Sequence, residues 1–98
     1  MQFVFHAILV VTGASRGIGK AIALALGEAG CKVIVNYASS EAAANEVCEE
    51  IKARGGDKGA MAVPIKANIG NPEEVQAMIA KACEEVGPVD ILVNNAGK

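Results

Sequence analysis

Apolar and polar positions fall into blocks that change period along the chain. Residues 4–11, VFHAILVV, are almost unbroken in their hydrophobicity and rich in Val. Such a run suits a parallel strand covered on both faces. A helical period follows: Ile18, Ala21, Ile22, Ala25 and Ala29 are expected on one buried face, with Gly30 as the stop. KVIVNY, 32–37, reads as a second strand. Ser39 or Ser40 can cap the next helix, where Ala44, Val47, Cys48 and Ile51 recur at helical spacing before Gly55-Gly56. A third strand is expected over about 60–66; Pro64 lies inside it and cannot donate to a ladder, so this strand belongs at an edge. Asn71-Pro72-Glu73-Glu74 opens a third helix, with Asn as N-cap, Pro at the first helical position and Glu at the third. Its stripe is Val75, Met78, Ile79, Ala82, Cys83 and Val86. Gly87-Pro88 breaks it, and a fourth strand is expected over 89–94.

The order β-α-β-α-β-α-β predicts an α/β fold with parallel strands and right-handed crossovers. We expect a partial Rossmann fold: a parallel sheet of four strands in order 3-2-1-4 with three helices, residues 1–98 forming one N-terminal portion of a dinucleotide-binding domain. In that order the fourth strand, DILVN, is an edge although it reads as central, apolar on both faces and without edge protection. Self-association through this strand is the expectation.

Composition narrows the function classes. The chain is 52% hydrophobic, 20% charged and 3% aromatic, which excludes disorder and builds the core from aliphatic side chains. A net charge of −2 without a basic cluster argues against nucleic-acid binding. Cys31, Cys48 and Cys83 are widely spaced, so neither a zinc site nor a disulfide framework is expected. MQFVFHAILVV resembles a signal-peptide core but lacks a basic flank and a cleavage pattern, so a buried strand is preferred. No stretch is long enough to span a membrane, and His6, without a partner motif, is read as a spectator.

The candidate chemistry lies in TGASRGIG, 12–19, between the first strand and the first helix. A strand, a glycine-rich turn and a helix N-terminus make an anion site, because first-turn N–H groups lack internal partners and the helix dipole favours negative charge. Gly13 allows a tight turn, Gly17 lets a pyrophosphate lie against the backbone, and Gly19 allows close packing. The spacing is G-x-x-x-G-x-G, and the Lys-Ser/Thr of an NTPase loop is missing. An NAD site usually carries an acid about 20 residues on, at the end of the second strand. Here Tyr37 stands in that place, while Arg16 in the turn can meet a 2′-phosphate and Ser39 can donate to it. The expected cofactor is therefore NADP(H); a merely solvated loop cation is the plain alternative for Arg16.

TGASRGIG together with NNAG at 94–97 resembles the short-chain dehydrogenase/reductase family, and TGASRGIGKAIA with CKVIVNYASS is most similar to its 3-oxoacyl-[acyl-carrier-protein] reductases. The resemblance runs from about residue 8. It implies cofactor contacts from Gly13, Ala14, Ser15, Arg16, Gly17, Ile18 and Gly19, and a 2′-phosphate segment at Ala38 and Ser39. It implies an adenine site at Asn68 and Ile69, and a ribose and nicotinamide turn at Asn95, Ala96 and Gly97. Asn94 would brace the sheet. Asn68 departs from the usual Asp, though an amide oxygen can still accept from adenine. The loop 55–63 is longer than the family's, and Lys98 replaces an apolar residue.

The family's Ser and Tyr-x-x-x-Lys belong to later elements, so no catalytic residue is assigned here: Tyr37 is the one tyrosine and has no lysine four residues on. The implied whole is a fatty-acid-synthesis oxidoreductase acting on an acyl-carrier-protein-linked substrate, in a bacterial cytoplasm or plastid stroma. The 98 residues are expected to be its cofactor-binding part, inactive alone. The alternative is a free-standing nucleotide-binding or interaction module that pairs with a full-length homologue.

Overall fold

A computed structural model of the chain describes residues 7–95. Expectations placed on residues 4–6, Ala96 and Gly97 lie outside them. The elements are β1 Ile8–Val11, α1 Gly17–Glu28, β2 Lys32–Tyr37, α2 Glu41–Gly55, β3 Met61–Lys66, α3 Pro72–Glu85 and β4 Ile91–Val93, with a short 3₁₀ turn at Gly56–Lys58. The sheet is parallel, in the order β3-β2-β1-β4. The expected architecture is the one observed. Pro64 pairs opposite Val35 on the edge strand β3, where its missing donor breaks no second ladder.

Alternation along the strands builds two cores. Leu9, Val11, Val33, Val35 and Tyr37 meet α1 and α2 on one face. Val10, Ile34 and Ile65 meet Met78 and Ala82 of α3 on the other. Both central strands are therefore buried on both sides, which is why they read as continuous apolar runs rather than as alternating ones.

Two helical faces differ from expectation. In α1 the buried residues are Gly19, Ala23, Leu24 and Gly27, whereas Ala21 and Ala25 are exposed and Ile18 is 74% exposed. Nearly every position of α1 is apolar, so hydrophobicity alone does not mark its inner side. Close approach does: a Cβ at Gly27 would run into Ile51 of α2, and one at Gly55 would strike the Gly27 carbonyl. In α3 the stripe holds through Val75, Met78, Ile79, Ala82 and Val86, but Cys83 is exposed. It lies one residue past Ala82, about 100° further round the axis, and faces away from the sheet.

The helix starts follow the sequence closely. Asn71 Oδ1 accepts from the N–H groups of Glu73 and Glu74, at 2.9 and 3.3 Å. Glu74 reaches past the cap and accepts from Asn68 N–H at 2.8 Å, tying the β3–α3 turn to the helix. Ser40, not Ser39, caps α2, its Oγ accepting from Ala43 N–H. At its base β4 is held by Asp90, which accepts from Ile8 N–H at 2.9 Å and donates its own N–H to the Ile8 carbonyl. The strand proper is three residues long, shorter than the sequence suggests. Burial raises both the Cys31 thiol and the Cys48 thiol, the latter up to about 11. A neutral Cys48 thus favours the folded chain fully below pH 9.0, and that contribution is lost as pH rises through about 11.

Candidate functional site

The sheet reverses winding between β1 and β4: β2 and β3 lie to one side of β1, β4 to the other. Open α/β sheets hold ligands outside the carboxyl ends of the strands at such a switch point. The glycine turn occupies that place. Gly13 and Gly17 have φ of 62° and 61°, conformations that an L side chain strains to adopt. Where a Gly17 Cβ would stand there is nothing within 4 Å, so the backbone is open to an outside group. Gly19 is different. A Cβ there would collide with the Gly13 carbonyl and the Asn95 side chain, so this glycine lets α1 start directly under the turn.

The start of α1 carries no side-chain cap and no acidic residue in its first turn. The N–H groups of Gly17, Ile18 and Gly19 precede the first helical bond, Lys20 N–H to the Arg16 carbonyl at 3.2 Å. They form the donor set that an anion would use. By contrast, α2 and α3 are capped and open with Glu41 and with Glu73 and Glu74. Lys20 pairs with Glu50 at 4.0 Å. Among the described residues Arg16 forms no ion pair, leaving its exposed guanidinium as the turn's uncommitted cation.

Other residues hold the turn in place. Asn95 donates its backbone N–H to Thr12 Oγ1 at 2.8 Å, and its side-chain amide to the carbonyls of Thr12 and Gly13 at 3.1 and 3.3 Å. Thr12 Oγ1 donates to the Val93 carbonyl at 3.2 Å. Asn95 thus braces the turn, while Asn94 is exposed and lines a cavity of about 280 Å³ with Thr12, Ile69, Val75, Met78 and Leu92. Ala14 is fully buried and donates its N–H to the Asn36 carbonyl at 2.9 Å, so it shapes the turn from inside.

The remaining expected residues sit at the same end of the sheet. Ala38 and Ser39 are exposed just past β2, and Ser40 rather than Ser39 takes the cap. Asn68 follows β3, and its Oδ1 accepts from Gly70 N–H at 2.9 Å. Tyr37 is buried in the α1/α2 core, so it offers no acid-like group to a ribose. The sequence reading missed Asn36, whose amide links Gly13 to the end of β3. A polar residue inside an otherwise apolar strand was the available signal. Among the described residues no cluster of His, Cys, Asp or Glu could hold a metal, and no helix is long and apolar enough to cross a membrane.

Comparison with known proteins agrees with this geometry. Over 90 residues the chain is 50% identical to a 3-oxoacyl-[acyl-carrier-protein] reductase of Synechocystis, covering 92% of this chain and 35% of that protein. It is 49% identical to a versicolorin reductase of Emericella nidulans, covering 92% of this chain and 33% of that one. The chain therefore spans about a third of the length of the curated relatives it matches. L-Sorbose reductase from Gluconobacter frateurii, solved with NADPH and L-sorbose, superposes with a TM-score of 0.85 at 29% identity, over 99% of this chain and 35% of that one. The short chain dehydrogenase model matches residues 7–98, and on that match the chain belongs to the short chain dehydrogenase family.

Proposed function

We propose that this chain is the NADP(H)-binding portion of an oxidoreductase that reduces a 3-oxoacyl group carried on acyl carrier protein. One observation carries the cofactor reading: the uncapped, acid-free start of α1 opens onto the glycine turn at the switch point of the sheet. In this reading the N–H groups of Gly17, Ile18 and Gly19 hold the pyrophosphate. Arg16 and Ser39 hold the 2′-phosphate, Asn68 and Ile69 the adenine, and Asn95, Ala96 and Gly97 the ribose and nicotinamide side. The cofactor supplies the hydride; the chain's own residues bind and orient it. Support for NADP(H) over NAD(H) comes from Arg16, which forms no ion pair among the described residues, and from the absence of an acid at the end of β2. The substrate reading leans on the 50% identity to the Synechocystis reductase. The near-equal identity to a versicolorin reductase fits a stretch that serves cofactor binding rather than substrate choice.

Arg16→Ala tests the assignment. It is expected to raise the Kd for NADP⁺ about tenfold or more, the size of a lost charge-assisted hydrogen bond, and to change NAD⁺ binding little. Calorimetric titration of both cofactors checks this, and equal losses for the two would contradict the 2′-phosphate role.

The open edge supports a second property of the 98-residue chain by itself. On β4, Ile91 and Leu92 are each 50% exposed, facing opposite sides of a strand that, among the described residues, pairs only with β1. Such an edge favours pairing with another strand. Light scattering is expected to find dimers or larger species, and Leu92→Lys to shift them toward monomer; a clean wild-type monomer would contradict self-association.

A further inference from the structure

The glycine turn is held by one side chain that the cofactor reading does not use. Asn36 in β2 is 2% exposed. Its Oδ1 accepts from Gly13 N–H at 3.1 Å, and its Nδ2 donates to the carbonyls of Ile65 and Ala67 at 3.3 and 3.2 Å. Its own carbonyl accepts from Ala14 N–H. The β1–β2 register ends at Val11 opposite Val35; beyond that point the turn is joined to β2 by the Ala14 N–H to Asn36 carbonyl bond and by the Asn36 amide.

Resting on the cofactor reading above, we propose that Asn36 is a positioning residue: it sets the glycine turn relative to the end of β3, and so fixes where a pyrophosphate lies relative to the adenosine bound at Asn68 and Ile69. The geometry demands one acceptor and two donors on a short planar group, all buried. Asparagine supplies all three. An aspartate could accept from Gly13 but would set a buried charge against two carbonyl oxygens; a leucine would leave the Gly13 N–H without a partner. With the Gly13 and Ala14 N–H groups spent on Asn36, the donors left for an anion are those further along, from Ser15 into the first turn of α1. The amide therefore also decides which part of the turn faces the ligand.

The position matters to a ligand that spans both subsites. A dinucleotide reaches from the turn to the β3–α3 loop, whereas adenosine occupies the adenosine end and carries neither the pyrophosphate nor the 2′-phosphate that Arg16 of the turn would hold. Asn36→Asp is expected to raise the Kd for NADP⁺ about tenfold or more, scored on the folded fraction, while adenosine changes by less than about threefold. Equal losses for both ligands would mean general loosening and would overturn the proposal. Amide exchange on the unaltered chain gives a second, independent reading. Gly13 N–H is expected to exchange at least about tenfold more slowly than Ser15 N–H without ligand, since both are half-buried and only the first is hydrogen-bonded, to the buried Asn36 amide. Matched rates would overturn the proposal even if Asn36→Asp fails to fold. An unaltered chain that binds neither ligand would remove the cofactor reading, and the Gly13 exchange rate would still decide whether Asn36 holds the turn.

Discussion

Gly19→Ala is expected to lower affinity for NADP⁺ by at least about tenfold and stability by about 1–3 kcal/mol, the usual range for overpacking. The single added carbon has nowhere to go. It meets the Gly13 carbonyl, which belongs to the turn itself, and the Asn95 amide that braces that turn. Neither is the loose end of a long side chain, so the turn must move or α1 must slide. Either motion spoils the alignment of the Gly17 and Ile18 N–H groups with an anion. Gly19 is helical, so backbone strain is not the cause; alanine would even be preferred there on helix propensity alone. Calorimetry and a urea melt measure the two effects separately. Unchanged affinity would show that the turn tolerates displacement and would undercut the close-approach argument.

Ile34→Ala is expected to cost about 2–5 kcal/mol, the range for truncating a large buried aliphatic side chain. Ile34 is fully buried in the central strand β2, on the face covered by α3. Domains of this size hold about 5–15 kcal/mol in total, and this one leaves one sheet edge uncovered, so the variant sits near the unfolding threshold. With urea m-values of about 1–3 kcal/mol/M, the midpoint should fall by about 0.7–5 M. Ile18→Ala provides the contrast. The same side chain at 74% exposure should change stability by less than about 0.5 kcal/mol. If the two variants melted alike, the assignment of the α1 surface would be wrong.

That contrast also marks where the sequence stopped being informative. The edge position of β3 and the caps of α2 and α3 were legible because each follows from local chemistry: Pro64 lacks a donor, and Asn71 supplies an acceptor to a following first turn; the strand order came instead with the Rossmann pattern of alternating elements. The inner face of α1 was not legible. A helix apolar on almost every side has no unique stripe, and its orientation is chosen by how closely small residues let it approach α2. Cys83 went astray for a related reason, since the stripe of α3 is narrower than its apolar positions allow. At the site, the glycines were readable from their placement between strand and helix. Asn36 and Asn95 were harder, because their work lies in hydrogen bonds that reach across 23 and 82 residues of sequence. Spacing motifs mark backbone freedom well and long-range side-chain bonds poorly.

In the proposed function the turn at 12–19 holds a dinucleotide through the N–H groups at the start of α1. Amide resonances followed during titration of the 98-residue chain with NADP⁺ test it most directly. Saturable shifts are expected, concentrated at Gly17, Ile18 and Gly19, with weaker effects at Ser39 and Ile69 and little change in α2. No shift at millimolar NADP⁺, or shifts spread evenly over the surface, would contradict it.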